Sequence, residues 1–410
     1  MLETQAINCR PDRGNSIRAC MVSFYYAPEY SGSAIQAGNL CRYLNRMGVE
    51  TIVVAAMLSN RLPEEAMDGI KVFRLKVLKS QDYQILSFWL TLCWFLFRKR
   101  KDFDVIHAHG TLQHGPVGCI GRLLGKPTFL KVAMANSDIA FHRHGRIWGR
   151  VNKFFFMRFD RYIATSEQIR QEYLAKGLPP DVIVKIPNGV DTERFRPCGS
   201  SREKGDLKKS FGFPVGPLIM FCGVIIPRKN VELIVRVFCE IHKDHPTTHL
   251  ALVGPWPKED ESNPGGYTGN LHRLLREAGL QDHVTFTGYR ECIDRYLRAA
   301  DVFFFPSKQE GMPNVLLEAM SCGLPCIVSR ISGTEDLIEN GVNGMLLDPE
   351  SIEEFAGALK MILGNPSLQL QLGNNARASI MEQFALCHTA KRITSLYLHS
   401  LSGKGPSERR

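Results

Sequence analysis

The chain contains two successive series in which short apolar runs alternate with amphipathic segments. A short apolar run bounded by turn residues predicts a buried strand, and apolar positions repeated every three or four residues predict a helix. Alternating strands and helices are typical of parallel α/β sheets with crossover helices. The predicted strands are 18–26, 50–56, 71–75, 105–109, 128–132, 162–165 and 182–186 in the first series, and 218–222, 250–253, 284–286, 302–305 and 326–328 in the second. The sequence therefore predicts two similar α/β domains.

A stretch rich in proline, glycine and charged residues separates the two series, between Pro187 and Leu218. Such a composition is typical of a linker between domains. The predicted boundaries are an N-terminal extension at 1–16, a first domain at 17–190, a second domain at 191–378, C-terminal helices at 379–401 that pack on the first domain, and a disordered tail at 402–410.

Length and composition are those of a globular protein with sizeable cores. The 410 residues are 44% hydrophobic and 22% charged, which excludes collagenous, disordered and disulfide-scaffold classes. The 12 cysteines include no C-x-x-C pair, so we expect buried thiols in a reducing cytoplasm. The formal net charge is +10, and residues 1–200 carry all of the excess, with 28 Lys+Arg against 17 Asp+Glu. A basic first domain predicts an acidic partner, such as an anionic membrane or a phosphorylated substrate.

The most hydrophobic window, 85–97, is followed directly by four basic residues at 98–101. It is shorter than the ~18–20 apolar residues that cross a bilayer as a helix. Two interpretations remain open: a buried core helix with a solvated basic end, and an interfacial helix whose Trp89 and Trp94 enter the headgroup region of an anionic membrane. The first twenty residues lack the apolar region of a signal peptide, so we expect a cytoplasmic protein that is peripheral on a membrane.

Ligands of parallel α/β sheets bind beyond the carboxyl ends of the strands, where helix N-termini present N–H groups. The loop after the first strand carries Gly32, whose small size lets a phosphate or sugar oxygen approach the backbone. His109 ends the strand 105–109 and is a candidate for binding a substrate hydroxyl, while a packed structural imidazole is the alternative. Asp102 and Asp104 form a D-x-D string, but they precede a strand at the opposite edge of the sheet. We therefore expect no metal site there.

The loop after the strand of phenylalanines in the second domain has the most informative pattern. Gly311 and Pro313 impose a tight loop, and Asn314 can cap a helix that begins with the next residue. Glu310 then lies in the loop, and Glu318 lies about one turn inside the helix. One acid can hold the hydroxyls of a sugar while the other binds the two hydroxyls of a ribose. A complement to the helix dipole would explain only one of the two acids.

These residues resemble a known family. Glu310 to Glu318 matches the E-x7-E signature of retaining glycosyltransferases with two Rossmann-like domains, the large family numbered four. Pro187-Asn188-Gly189-Val190-Asp191 resembles the junction between the domains of this family, and 105–109 resembles a strand of its acceptor domain. The resemblance implies the GT-B fold, in which two Rossmann-like α/β domains face each other across a cleft. The first domain would bind the acceptor and the second the nucleotide-sugar donor.

The resemblance also implies roles for residues of the second domain. Glu318 would bind the ribose of the donor, and Glu310 would hold the donor sugar near its anomeric carbon. Gly311, Asn314 and Val315 would lie close to the donor.

Cationic residues would neutralise the diphosphate as it leaves. The resemblance gives this role to Lys229, with Arg228 beside it, and Gly32 would back the diphosphate from the first domain. The family usually has Arg directly after the glycine that ends the first donor-domain strand, whereas here Gly223 is followed by Val224. We expect Arg228 to supply the missing charge. Enzymes of this family use no divalent metal, so no metal or other cofactor is implied.

On the acceptor side, the candidate is His109, because the strand that it ends resembles a strand of the acceptor domain of this family. The loop after the strand 128–132 often carries a histidine in this family, and here Asn136 and Asp138 stand in that loop. We expect both to serve the acceptor, a glycan or a lipid-linked molecule.

The sequence thus predicts a retaining, metal-independent glycosyltransferase of cell-surface polysaccharide or glycolipid biosynthesis. Two alternatives on the same fold remain open, a nucleotide-sugar 2-epimerase and an inactive sugar-binding protein. We expect no nucleic-acid partner, because no RNP, helix-turn-helix or zinc-finger spacing is present.

Overall fold

A computed structural model of the chain describes residues 16–29, 31–59, 61–110, 115–132, 134, 146–257 and 265–403. The chain forms two compact units. The first comprises the described residues up to Gly189 together with those from Leu386 onward, and the second is Val190–Ala385. Each unit has its own sheet and its own core.

Eight strands form the sheet of the first unit. They are β1 Arg18–Ser23, β2 Glu50–Met57, β3 Glu64–Met67, β4 Ile70–Lys76, β5 Val105–His109, β6 Thr128–Lys131, β7 Arg161–Ala164 and β8 Ile183–Lys185. Their order is β3-β4-β2-β1-β5-β6-β7-β8, and only β3 pairs antiparallel, with β4. The helices before the second unit are α1 Gly32–Arg46, α2 Gln81–Arg98, α3 Val117–Leu123, α4 Arg146–Phe156 and α5 Glu167–Ala175.

Six strands form the sheet of the second unit. They are β9 Leu218–Cys222, β10 His249–Val253, β11 Val284–Gly288, β12 Val302–Phe305, β13 Cys326–Ser329 and β14 Met345–Leu347. Their order is β11-β10-β9-β12-β13-β14, and all neighbours are parallel. The helices are α6 Ser201–Ser210, α7 Val231–Ile241, α8 Tyr267–Glu277, α9 Ile293–Ala299, α10 Asn314–Ser321, α11 Ile352–Leu363 and α12 Pro366–Ser379.

The chain returns to the first unit in its last helix, α13, at Leu386–Leu401. The apolar residues of α13, with Tyr397 fully buried among them, join those of α1 in a core on one face of the first sheet. The opposite face is covered by residues of α2 to α5, including Phe88 and Phe156. Because both faces are covered, the central strands are almost continuously apolar, as buried parallel strands require.

The predicted fold class, two α/β domains with mainly parallel Rossmann-like sheets, is confirmed. The C-terminal boundary at 379 is wrong by several residues. A π-helical turn at Ile380–Phe384 belongs to the second unit, because Ile380 and Phe384 are buried in its core. Val190 N donates to Phe384 O at 2.9 Å, and Val190 forms an isolated parallel bridge with Ala385. The chain therefore enters and leaves the second unit at adjacent positions.

Three elements lack a strong sequence signal. The edge strands β3 and β14 are short, and β3 carries two glutamates. Helix α6 lies in the stretch that composition marks as a linker, and Leu207 is its only buried residue. A segment with so few apolar positions has no periodicity from which a helix could be predicted.

Helix α2 contains the hydrophobic window 85–97 and has two different faces. Phe88 and Leu92 are fully buried against the sheet, whereas Leu90 is 67% exposed and Trp94 is 62% exposed. The buried face satisfies the core-helix interpretation, and the exposed apolar face leaves the interfacial interpretation open. Within the described residues, none of the helices combines the length and the apolar character needed to cross a membrane.

Candidate active site

Three side chains of the second unit converge on one carboxylate oxygen, Oε1 of Glu310. Lys229 Nζ donates at 2.6 Å, Ser307 Oγ at 2.6 Å and Arg228 Nη1 at 3.1 Å. Among the described residues, no hydrogen bond reaches the other oxygen, Oε2. Glu310 is 8% exposed, so the carboxylate is held firmly by its partners and keeps one oxygen for a ligand.

The residues of this cluster lie in the loops that follow two adjacent strands. Strand β9 ends at Cys222, and the chain then forms a 3₁₀ turn at Pro227–Lys229 before α7. Its neighbour β12 ends at Phe305 and leads into the loop 306–313. Lys308 N donates to Arg228 O at 2.9 Å, which ties the two loops together. The cluster thus lies at the carboxyl end of the sheet, where ligands of this class of fold bind.

Burial lowers the pKa of Lys229. Desolvation lowers the pKa of its ammonium, and the charge of Glu310 opposes that shift. The ammonium also lies 4.8 Å from the centre of the Phe305 ring, a favourable cation–π position. A partly desolvated cation interacts strongly with an anionic ligand, because little solvent screens it.

Glu318 lies on α10, eight residues after Glu310, and its side chain is partly buried. Desolvation raises the pKa of its carboxyl to about 7, against a lowering by the charge of Arg194. None of the described residues donates a hydrogen bond to it. Hydrogen bonds from the hydroxyl groups of a ligand would stabilise the ionised form of an acid in this environment.

The start of α10 differs from the prediction. The helix begins at Asn314, and its N-cap is Pro313, which makes no side-chain cap hydrogen bond. Asn314 and Val315 are therefore the first two helical residues, with backbone N–H groups at the N-terminus. Gly311 packs against Gly333, where an added Cβ would overlap Gly311 O. The loop thus depends on a glycine at position 333, which also has a positive φ of 81°.

In the first unit, the structure places one of the predicted residues at the start of a helix and another at the carboxyl end of a strand. Gly32 is the first residue of α1, and His109 is the last residue of β5, where it is 5% exposed. Asn136 and Asp138 lie outside the described residues. The structure therefore leaves the roles of all four as predictions.

Sequence reasoning overlooked two polar residues. Ser307 donates to Glu310, and its place directly after Pro306, where the apolar strand ends and the loop begins, is a signal in the sequence. Lys131 ends β6 and is 6% exposed, but nothing in its sequence context distinguishes it from a surface lysine.

The described residues contain no cluster of three or more His, Cys, Asp or Glu side chains that could hold a metal ion. The D-x-D string has structural partners instead. Asp104 accepts from Arg18 Nη2 at 2.7 Å, and Asp102 pairs with Lys99 at 3.1 Å.

Comparison with known proteins identifies the family. Residues 30–194 match the model "Glycosyltransferase Family 4", and residues 204–379 match "Glycosyl transferases group 1". The D-inositol 3-phosphate glycosyltransferase of Acidothermus cellulolyticus is 30% identical over 318 residues, which cover 73% of this chain and 68% of the relative. The chain belongs to glycosyltransferase family 4. A second relative of this glycosyltransferase, the UDP-Gal:alpha-D-GlcNAc-diphosphoundecaprenol alpha-1,3-galactosyltransferase of Escherichia coli, is 27% identical over 355 residues, with 84% of this chain and 88% of the relative covered.

Solved structures place the glycosyltransferase in the GT-B fold. HepE of Anabaena, in complex with UDP and glucose, has a TM-score of 0.76 and 20% identity, and the match covers 93% of this chain and 99% of HepE. Sucrose-phosphate synthase of Thermosynechococcus elongatus has a TM-score of 0.78 and 21% identity, with 94% and 100% covered. Identities this low establish the shared fold alone.

Proposed function

We propose that this glycosyltransferase moves a sugar from a nucleotide-diphospho-sugar to a hydroxyl of a glycan or lipid-linked acceptor, with retention of anomeric configuration and without a metal ion. The observation that carries the proposal is the cluster at Glu310. Two cations and a hydroxyl hold one carboxylate oxygen, and the other oxygen has no protein partner among the described residues. The second carboxylate oxygen can accept a hydrogen bond from a ligand hydroxyl, and the two cations can bind an anionic group of the same ligand.

The reaction breaks the bond between the anomeric carbon and the diphosphate oxygen, and forms a bond from that carbon to the acceptor oxygen. Positive charge develops on the sugar while negative charge develops on the diphosphate. Lys229 and Arg228 stabilise the leaving diphosphate, and the N–H group of Asn314, at the start of α10, adds partial positive charge. The proton of the acceptor hydroxyl passes to the departing phosphate oxygen, so the proposal needs no covalent enzyme intermediate.

Glu310 and Glu318 have separate roles in this proposal. The free Oε2 of Glu310 accepts a hydrogen bond from a donor-sugar hydroxyl and fixes the sugar beside the cations. The ionised carboxylate of Glu318 accepts hydrogen bonds from the two ribose hydroxyls. Because bound hydroxyls favour the ionised form, donor binding lowers the pKa of Glu318 from its raised value.

The names of the relatives support a sugar-nucleotide donor and transfer chemistry. The relative in Escherichia coli is named for UDP-Gal and for a diphosphoundecaprenol-linked acceptor. The HepE structure contains UDP and glucose. These names favour a transferase over the epimerase and the inactive binder predicted as alternatives.

A donor panel tests the proposal. Thermal unfolding is measured with UDP-, GDP- and ADP-sugars, because a ligand that binds the folded state raises the Tm by mass action. The sugar nucleotide that stabilises the protein is then offered with lipid-linked and glycan acceptors, with and without EDTA. We expect transfer that EDTA does not reduce. An epimerised free donor, or stabilisation by no sugar nucleotide, would refute the assignment.

We also propose that the first unit lies on an anionic membrane, through the exposed faces of α2 and α4. Leu90 and Trp94 on α2, and Ile147 and Trp148 on α4, are 47–78% exposed. Trp148 reaches α2 by an edge contact with Trp89, at 6.2 Å between ring centroids. Basic residues lie at the end of α2 and directly after it, at 98–101, and exposed apolar residues next to such a cluster are typical of interfacial helices.

Co-sedimentation with vesicles of anionic or neutral lipid tests the membrane contact. Leu90→Glu replaces a 67% exposed leucine of α2, and Leu370→Glu is a matched control at a 66% exposed leucine of the second unit. We expect binding to anionic vesicles at low salt, lost in Leu90→Glu and kept in the control. Equal binding by both variants would contradict the proposed surface.

A further inference from the structure

Two buried basic side chains lie side by side at the carboxyl end of the first sheet. His109 ends β5 and Lys131 ends β6, and the two residues are direct partners in the register of these parallel strands. They are 5% and 6% exposed. Side chains at paired positions of adjacent strands leave the same face of the sheet, so both belong to the face covered by α1 and α13.

Both side chains lack a partner for a polar group within the described residues. In the part of the chain that the structure describes, no hydrogen bond and no opposite charge offsets the desolvation of the Lys131 ammonium. His109 Nε2 is buried without a hydrogen-bond partner among these residues. Desolvation alone lowers the pKa of the Lys131 ammonium to about 8, so the group remains largely charged at neutral pH. A buried charge without a partner is destabilising, and buried cations in proteins are normally paired.

The imidazole of His109 packs against a buried layer of side chains that includes His107 and Tyr397. The His107 and His109 rings stack at 4.3 Å between centroids, and His107 Nδ1 lies 2.6 Å from the hydroxyl oxygen of Tyr397. Tyr397 belongs to α13 and also packs on Phe129 at 4.9 Å. The imidazole of His109 therefore packs on a fully buried layer formed by His107, Phe129 and Tyr397.

We propose that Lys131 and His109 form a binding site for an oxyanion, a phosphate or carboxylate group. An oxyanion supplies the counter-charge that Lys131 lacks, and it accepts a hydrogen bond from His109 Nε2 when that nitrogen carries the proton. Assigning the oxyanion to the acceptor rests on the proposed function, in which the first unit binds the acceptor. The surplus of positive charge in this part of the chain agrees with an acidic acceptor.

Inorganic phosphate is the first probe. Thermal unfolding is followed at pH 7 and constant ionic strength, with no donor present, for the wild type, Lys131→Met and the control Lys153→Met, which removes an exposed lysine of α4. We expect phosphate to raise the Tm of the wild type and of the control. Lys131→Met should need at least about tenfold more phosphate for the same rise, since a hydrogen bond to a charged group is lost. Lys131→Gln, which keeps a polar end, is a second variant with the same expectation.

Matched sugars identify the source of the oxyanion. Glucose 1-phosphate and methyl glucoside differ in the phosphate, and UDP represents the donor. If the site serves the acceptor, glucose 1-phosphate binds the wild type more tightly than methyl glucoside, Lys131→Met loses that difference, and UDP binds both proteins equally. A loss of UDP affinity in Lys131→Met would overturn the acceptor assignment and give the oxyanion to the donor.

Equal responses to phosphate in the wild type and Lys131→Met, or no response in the wild type, would overturn the site itself. The outcome is separable from that of the proposed function. Phosphate binding is measured without any transfer reaction, so a protein that transfers sugar but ignores phosphate refutes only the oxyanion site. A protein that binds phosphate through Lys131 and transfers no sugar refutes only the proposed function.

Discussion

Replacing Glu318 by Gln should stabilise the protein and weaken donor binding, and both effects should depend on pH. The carboxyl of Glu318 is partly buried and has an ordinary pKa of 4.5 that desolvation raises to about 7. A pKa that is higher in the folded state than in the unfolded chain means that folding favours the protonated acid. The free-energy cost of ionising Glu318 in the folded protein is therefore absent below about pH 4.5 and reaches its full value above about pH 7. Glutamine has nearly the same shape and never carries the charge.

The size of the effect follows from the pKa. Each tenfold change in a dissociation constant corresponds to about 1.4 kcal/mol, so the rise from 4.5 to about 7 corresponds to about 3 kcal/mol for a fully buried acid. Partial exposure reduces this, and we expect about 2 kcal/mol of added stability for Glu318→Gln at pH 8. For a unit of this size, the Tm should rise by roughly 4–8 °C at pH 8 and by almost nothing near pH 4.5.

Calorimetry at pH 5 and pH 8 measures the stability, with Glu277→Gln as a control because that glutamate is exposed on α8. Donor affinity is measured by titration over the same range. Wild-type affinity should increase roughly tenfold from pH 6 to pH 8 as Glu318 ionises, while Glu318→Gln should bind at least about tenfold more weakly and without this pH dependence. A variant that gains no stability at pH 8, or that binds the donor like the wild type, would refute the reasoning.

Three further substitutions test the rest of the structure. Lys229→Met should lower kcat/KM at least about 100-fold, since it removes a charge aimed at the leaving diphosphate; an unchanged rate would exclude that role. Gly333→Ala should lower kcat/KM more than tenfold, whereas Gly341→Ala, at a similar positive φ but with open space around an added Cβ, should keep the rate; equal losses would mean that backbone strain alone acts. Tyr397→Phe should lower the Tm of the first unit by roughly 3–6 °C, because it leaves a buried imidazole nitrogen unpaired; an unchanged melting curve would contradict that contact.

The strands of the two cores could be predicted closely from the sequence. The bounds of β5, β9 and β12 agree residue for residue with the prediction. Strands β9 and β12 are uninterrupted apolar runs, and all five residues of β5 are buried, its two histidines included. Edge strands and surface helices do not have this signal. In α6 the polar residues carry no apolar periodicity, and its Ser200 cap and its local propensity also occur in linkers. The ion pairs of Lys204 and Lys208 with Asp301, which tie the helix to the rest of the second unit, join residues more than 90 positions apart and are not visible in the local sequence.

The two acids of the donor side could be predicted from the loop pattern around them, but the cations Lys229 and Arg228 could be predicted only through the resemblance. Glu310 and Lys229 are 81 residues apart in sequence, and their contact exists because β9 and β12 are neighbours in the sheet. Strand order follows from the packing of the whole unit and is absent from any local pattern. The pairing of His109 with Lys131 has a related origin, since it depends on the register of β5 against β6, which the sequence of neither strand specifies by itself.

The adjacent entry and exit of the second unit, at Val190 and Ala385, make that unit an insertion within the first. The core of the first unit needs α13, and Tyr397 meets His107 across 290 residues of chain. During synthesis the inserted unit is complete before the last helix emerges, so it can fold on its own while the first unit still lacks one side of its core. The buried layer under His109 is therefore assembled last, and truncation of the C-terminus would damage the first unit while sparing the second.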